Sequence, residues 1–551
     1  VGDAVVVAEG NQRLIGYAVS ANDEPLDVAT VRHELTEHLP GHMVPAVIVA
    51  MTALPLTPNG KVDRKALPSP DAAQIATAAY VAPRNDDEVI LAQIWATVLE
   101  LPQVGVDDDF FALGGHSLAA TEVVYQLRSQ LDLEVPVRTL FERPTVASLA
   151  QAIDHLRRTG ELPAGTDTDL VAEAVLDPSI EPDPALPVVT TGDRPRSVFL
   201  TGATGFLGTY LLADLLTRTD AEVCCLVRAD NEAAGRRRLV HALEAHDLEV
   251  DVDRVVPIVG DLGQPRFGLS EAAFAALGER VDTIVHNGAW VNHVFPYAVL
   301  RAANVGGTAE VLRLAVTGRT KPVHAVSTLS VFRAPEHGPV LAEDDPLDHP
   351  AVNGGGYGQS KWVAEKLLKI ARARGIEVSV YRPGRVGWAT TTGRWNADDA
   401  LCLAVRACLE LGVVPEVDLR FDLTPVDWVA EAIIGLMLDP GSRQRDYHLV
   451  TPDGMAWRDL FDWLITAGHT LTFADPATWH TQVTAAAGDN EQLAALGQLL
   501  DGEARGGGTQ IFDDANLRAD LPSTVTTKPT LDATSVRVMA AHLTRDTTVG
   551  V

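Results

Sequence analysis

Hydrophobic spacing changes twice along the chain, and each change marks a different architecture. Residues 3–20 read as two strands, DAVVVAE and RLIGYAVS, rich in β-branched and aromatic positions. Val28, Val31, Leu35 and Leu39 then recur at helical spacing up to Pro40-Gly41. From residue 85 the period is helical. One face carries Leu91, Ile94, Trp95, Val98 and Leu99, a second Ala120, Val123, Val124, Leu127 and Leu131. A third follows Pro144 with Val146, Leu149, Ala150, Ile153 and Leu156. Three such i, i+3, i+4, i+7 faces predict a small bundle. Its first helix opens at Asn85, with Glu88 three residues on, the pattern of a capping box.

Residues 169–180 suggest a lead-in helix, and beyond it the apolar runs shorten. RSVFL, EVCCLVR, VVPIVGDL, DTIVHNGA, HAVSTLSV and VSVYRPGRV alternate with helical stretches, which predicts a doubly wound parallel sheet. From residue 391 the pattern is mostly helical, through LCLAVRACLEL and TPVDWVAEAIIGLML, with a break at GEARGGGTQ. Two poorly patterned stretches, DAAQIATAAYVAP and TGELPAGTDTD, read as linkers.

Composition narrows the class. A chain of 551 residues holds three or four domains, and 46% hydrophobic with 21% charged residues is that of folded ones. Against 44 Lys and Arg stand 74 Asp and Glu, so a formal charge of −30 argues against nucleic acid and anionic membranes as partners. Four cysteines make no disulfide framework and match no metal spacing. Reduced thiols, no signal segment and no long apolar run lead us to expect a cytoplasmic protein. The opening VGDAVVVAEG, already strand-like, suggests a piece of something longer.

Three constellations carry chemistry. TGATGFLG places Gly202, Gly205 and Gly208 between a strand and a helix, where side chains would keep a pyrophosphate from the helix N-terminus. An NAD site puts an acidic residue about 20 positions further on. That place holds Arg228, with Arg236, Arg237 and Arg238 beyond it, which suits a ribose phosphate and favours NADPH; the triple cluster reads equally as a solvated helix face. Tyr357 and Lys361, four apart, share one helix face, so an ammonium near the phenol is expected to lower its pKa. Thr328, at a strand end, can bond the same oxygen. The third constellation is LGGHSL, whose Ser117 is by itself an ordinary N-cap.

In its setting, DDDFFALGGHSLAATEVV resembles the carrier proteins of nonribosomal peptide synthetases. The resemblance implies 4′-phosphopantetheine on Ser117, its thiol bearing the substrate as a thioester. LPGHMVP and NGKVDR resemble the C-terminal subdomain of adenylate-forming enzymes, which makes Lys61 the adenylation lysine. The ATP-binding part is not in the sequence, so no adenylation is expected. The glycine triad with Tyr357 and Lys361 resembles the extended short-chain dehydrogenase/reductase superfamily, and LVRA, STLSVF and HNGAWVNHVFPYAVLRAANVGGTAEVLRLA narrow this to thioester reductase domains.

That resemblance implies a catalytic set of Thr328, Tyr357 and Lys361, with Lys361 also on the nicotinamide ribose. It implies NADPH contacts at Gly202, Thr204, Gly205, Phe206, Leu207, Gly208, Arg228, Arg238, Asp261, Leu262, Asn287, Gly288, Ala289, Pro383 and Val386, with no metal. Asn304 would support the active-site strand, and Asp261 reads equally as a turn residue. The expected architecture is multidomain: a small α+β adenylation subdomain (1–70), a helical carrier bundle (83–158), a Rossmann-type NADPH-binding part (169–390) and a smaller, mostly helical substrate-side part (391–551). The expected function is reductive chain release, the thioester going to an aldehyde and, with a second NADPH, on to an alcohol. Expected partners are the carrier-bound acyl or peptidyl thioester, a phosphopantetheinyl transferase and upstream synthetase domains. A carboxylic acid reductase and a non-redox cyclising domain are the rivals. A sugar epimerase or dehydratase shares the nucleotide fold but leaves the carrier serine unexplained, and a docking or carrier fragment with a dead nucleotide fold is the non-enzymatic reading, which NADPH quenching and turnover on a soluble thioester discriminate.

Overall fold

The computed structural model describes residues 2–9, 13–20, 26, 31, 45, 47–55, 62, 66–68, 80–99, 101–159 apart from 112, 114, 116, 132, 134 and 136, 168–189, 194–292, 295–334, 336–451, 454–475, 478–479, 482, 510–526 and 531–546. Lys61 and the helix expected over 28–39, Val31 apart, lie outside them. The chain divides into two compact units, residues 1–168 with 294–299, and residues 169–293 with 300–551.

In the first unit, β1 (Asp3–Glu9) pairs antiparallel with β2 (Arg13–Val19), which pairs parallel with β3 (Val47–Met51). Ile15, Tyr17, Val49 and Leu54 are its buried core. Then come α1 (Asp86–Val98), α2 (Ser117–Leu131), α3 (Val137–Glu142) and α4 (Val146–Thr159). The periodicity predicted three of these; α3 is too short to announce itself. Trp95 and Phe110 are fully buried at the centre, their rings edge to face at 4.9 Å. The Asn85 side chain accepts from Glu88 N at 2.9 Å, the first half of the capping box. Its second half goes elsewhere: the Glu88 carboxylate accepts from Arg84, backbone N at 2.7 Å and guanidinium at 2.7 Å. An ion pair outcompetes the reciprocal backbone bond.

The second unit is built on a seven-stranded parallel sheet. In chain order its strands are β4 (Ser197–Thr201), β5 (Glu222–Val227), β6 (Val255–Val259), β7 (Thr283–His286), β8 (Val323–Val326), β9 (Val378–Pro383) and β10 (Asp446–Leu449). In space they run β10-β9-β8-β7-β4-β5-β6. The order reverses between β4 and β7, and ligands of such sheets bind beyond the strand ends at that switch point. The crossover helices that matter are α5 (Phe206–Arg218), α6 (Glu232–Ala245), α7 (Glu271–Arg280), α8 (Gly307–Ala315) and α9 (Gly355–Ala373).

Two expectations need correction. Residues 169–180 form only one helical turn, Leu170–Glu173, capped by Asp169. The Arg374 guanidinium takes the carbonyls of Leu176, Asp177 and Ile180, so they are not free to continue a helix. The boundary at residue 390 also does not divide the sheet cleanly. Beyond α10 (Ala400–Leu411), α11 (Val426–Leu438) packs into the same core as α5, and β10 joins the sheet edge. The remaining C-terminal elements, chiefly α12 (Trp457–Thr466) and α13 (Ala533–Asp546), share a second core with α10, Trp388 and Trp395.

Candidate active site

The turn after β4 uses its three glycines for three purposes. Gly202 has φ +73°, and a methyl there would stand 2.8 Å from Gly288 Cα at the end of β7. A methyl on Gly208 would run into the Gly202 carbonyl, so this glycine lets α5 sit close against the turn. Gly205 differs: it is exposed, nothing crowds it, and it opens α5 with no side-chain cap. That leaves free amides at a helix N-terminus, facing outward with exposed Thr204, the arrangement that takes a dinucleotide pyrophosphate. Phe206 and Leu207 turn partly into the core below.

Other expected cofactor residues ring the same strand ends. Asn287 Nδ2 donates to Gly202 O at 3.4 Å, and Gly288 N donates to Thr201 Oγ1 at 2.8 Å, which ties the ends of β4 and β7 together. Leu262 lies against both Gly288 and Gly307, close enough that a methyl on either would clash. Asp261 makes a turn, its Oδ1 accepting from Gly263 N at 2.8 Å. Ala289 is half-buried, next to Trp290. Pro383 ends β9, and half-buried Val386 lies in a short strand, Arg385–Gly387, paired with Leu423–Pro425.

The arginine cluster sorts itself. Arg228 follows β5 directly and is exposed, and the guanidinium of Arg238 on α6 donates to the Arg228 backbone carbonyl. Arg236 is instead bound to the Val252 and Val255 carbonyls. The glycine turn and the exposed cations that follow β5 are residues that fit a nicotinamide dinucleotide.

Tyr357 and Lys361 are buried on one face of α9. The Lys361 ammonium donates to Val326 O at 2.8 Å, at the end of β8 and two residues before Thr328. Thr328 caps the short helix Leu329–Phe332, and its side chain favours the ionised form of the Tyr357 phenol. Burial pushes that phenol up to about 12, Thr328 pulling the other way, and burial brings Lys361 down to about 8 against the attraction of Glu365. The expected lowering of the phenol by Lys361 is thus corrected: desolvation dominates, and Tyr357 is a protonated donor across the physiological range. Asn304, inside a π-helical turn, bonds Trp290 N at 2.7 Å and O at 3.1 Å and Ser360 Oγ at 2.9 Å, which fixes the post-β7 loop to α9.

Sequence reasoning missed what stands behind this site. Ser327 Oγ donates to Glu365 at 2.5 Å, and the fully buried Arg382 bonds Glu365 (2.5 Å), Asp446 (3.0 Å) and the Glu343 carbonyl (2.9 Å). One signal was available: Glu365 follows Lys361 by four residues, on the same face of α9.

Residues 200–433 match the NAD-binding family described as Male sterility protein, and residues 89–153 match the family Phosphopantetheine attachment site. The terminal R domain from the myxalamid PKS-NRPS biosynthetic pathway superposes with a TM-score of 0.64 at 42% identity, over 69% of this chain and 97% of that one. The chain belongs to the family of nonribosomal peptide synthetase terminal reductases. Its second unit is accordingly an oxidoreductase domain of the extended short-chain dehydrogenase/reductase type, preceded by a carrier. Among curated relatives, a linear gramicidin synthase of Brevibacillus parabrevis is 40% identical over 91% of this chain and 10% of its own length. Isonitrile lipopeptide synthase of Streptomyces coeruleorubidus is 38% identical over 88% of this chain and 34% of its own. This terminal reductase thus spans about a third or less of either synthetase. Among the described residues no helix is long and apolar enough to cross a membrane.

Proposed function

We propose that the chain releases an acyl or peptidyl product reductively: the thioester carried on Ser117 is reduced by NADPH to an aldehyde, with the alcohol as a second product if a further NADPH reacts. One observation carries the reading: Tyr357 and Lys361 are buried on one face of a single helix, with the Lys361 ammonium on the end of the strand that leads to Thr328, in a domain whose glycine turn fits a dinucleotide. When bound, the reduced nicotinamide supplies a hydride to the thioester carbonyl. Tyr357, protonated, donates to the oxygen on which charge develops, and Thr328 donates a second hydrogen bond to it. Lys361 braces the strand end through Val326 O and offers its ammonium to the nicotinamide ribose. The resulting hemithioacetal loses the carrier thiol and leaves the aldehyde.

Arg228 and Arg238 would choose NADPH over NADH by taking the ribose phosphate. Ser117 would be primed by a phosphopantetheinyl transferase and loaded by upstream synthetase domains, with Lys61 silent in their absence. The four cysteines are buried as thiols, which supports a reducing, cytoplasmic setting. The test is NADPH consumption on a soluble N-acetylcysteamine thioester. Tyr357→Phe should cut it by ~10²- to 10⁴-fold, the range for a lost general acid, while the Kd for NADPH holds. Near-wild-type turnover in that variant would remove Tyr357 from the chemistry.

A further inference from the structure

One buried side chain joins the glycine turn to the helix of the proton donor. His286 ends β7 and is 2% exposed, and threonines engage both its ring nitrogens. Nδ1 lies 2.8 Å from Thr201 Oγ1 at the end of β4, and Nε2 lies 3.0 Å from Thr308 Oγ1 on α8. The direction of each proton follows from its partners. Thr308 Oγ1 donates its single hydrogen to the Asn304 carbonyl at 2.7 Å, since a carbonyl only accepts. Nε2 must therefore carry the ring proton. The neutral ring then accepts at Nδ1 from Thr201, whose oxygen in turn accepts from Gly288 N at 2.8 Å. Burial, and after it the Lys361 charge, push the ring's pKa down to about 3, which keeps it neutral.

From Asn304 the chain continues to α9. Asn304 Nδ2 donates to Ser360 Oγ at 2.9 Å, and Ser360 Oγ donates to the Tyr357 carbonyl at 2.9 Å. Thr201, His286, Asn304, Thr308 and Ser360 are each 2% exposed or less, so water does not take over a link that is cut. Thr201 directly precedes Gly202, and the bonds run unbroken from that turn to the backbone of Tyr357. We infer that His286 is a positioning residue, which through this chain sets the Tyr357 phenol against the dinucleotide held at the glycine turn. The inference rests on the reductase reading above. A fully satisfied buried network is rigid, and a misplacement of about 1 Å can cost about 10²-fold in rate.

The experiment uses the full chain with NADPH and a soluble N-acetylcysteamine thioester, and three variants that each cut one link. His286→Asn can still accept where Nδ1 does but does not reach Thr308, His286→Gln can still donate where Nε2 does but leaves Thr201 without its acceptor, and Thr308→Val keeps the shape and loses the hydroxyl. Each should lower kcat by about 10- to 100-fold, the scale of a small misplacement, while the thioester KM and the NADPH Kd change by less than about threefold. His286→Asn combined with Thr308→Val should be no slower than the slower single variant, because a chain cut once is already cut. Independently of turnover, ¹⁵N NMR of the ring in the wild-type protein without NADPH should show the Nε2–H tautomer at neutral pH. A Thr308→Val kcat close to wild type would overturn the inference, as would losses that multiply in the double variant. So would a KM or Kd that rises as far as kcat falls, or a ring protonated at Nδ1. Each of these leaves the reductase reading standing, since the wild type still consumes NADPH. No NADPH consumption by the wild type would sink both readings together.

Discussion

Lys361 gives the site a pH dependence whose sign and size follow from its burial. Its folded pKa lies at about 8, from an ordinary 10.5, because the interior disfavours the ammonium more than Glu365 restores it. At pH 7 about nine-tenths of the molecules carry the charge, and at pH 9 about one-tenth do. If the charged form is the one that holds the nicotinamide ribose, the apparent Kd scales inversely with that fraction, so binding at pH 9 is about tenfold weaker than at pH 7. The assay is a fluorescence titration of NADPH at pH 7, 8 and 9 on wild type and Lys361→Met. The wild type should weaken through pH 8, while Lys361→Met binds more weakly at pH 7 and shows no such limb. A wild-type Kd flat from pH 7 to 9 would refute the reasoning. Stability supplies an independent sign: between about 8 and 10.5 the unfolded chain binds more protons at this residue than the folded one. The burial penalty, fully present below pH 8, is therefore relieved as pH rises through that window, and wild type should gain stability relative to Lys361→Met, by about 3 kcal/mol at most.

Three further outcomes follow from the geometry. Removing Arg228 and Arg238 together should raise the KM for NADPH about tenfold or more and leave that for NADH unchanged, since only the phosphate loses partners; equal weakening of both nucleotides would count against a phosphate site there. Arg382→Met should cost about 3–5 kcal/mol in chemical denaturation, the range for breaking a buried ion pair from one side, because Glu365 and Asp446 lose their shared guanidinium. Gly202→Ala should abolish NADPH binding or folding, as its φ of +73° and 2.8 Å approach to Gly288 leave no room for a methyl; normal binding would remove the turn from the account.

The legible part of the fold is the part whose signal is local. Five strands of the second unit are almost wholly buried and mostly apolar, of which SVFLT with every residue buried is representative, and the edge strand Val255–Val259 is half-buried beyond Val255 but still apolar throughout. The seventh, Asp446-Tyr-His-Leu, is invisible for the same reason: its Asp446 is made tolerable by Arg382, Lys369 and Arg372, remote in sequence. Spacing placed Tyr357 and Lys361 on one face, but spacing carries no information about desolvation, so the direction of the phenol's shift was misjudged. The bond from Arg238 to the Arg228 carbonyl likewise depends on folding that periodicity does not report.

The central claim is that a carrier-borne thioester leaves by reduction on this same chain. Ser117 should be primed with 4′-phosphopantetheine, charged with an acyl group, mixed with NADPH, and the released product identified by mass. The account predicts an aldehyde or alcohol in the wild type, loss of release in Ser117→Ala, and retained NADPH consumption by that variant on a soluble thioester. Release of free acid or cyclised product without NADPH consumption would contradict it.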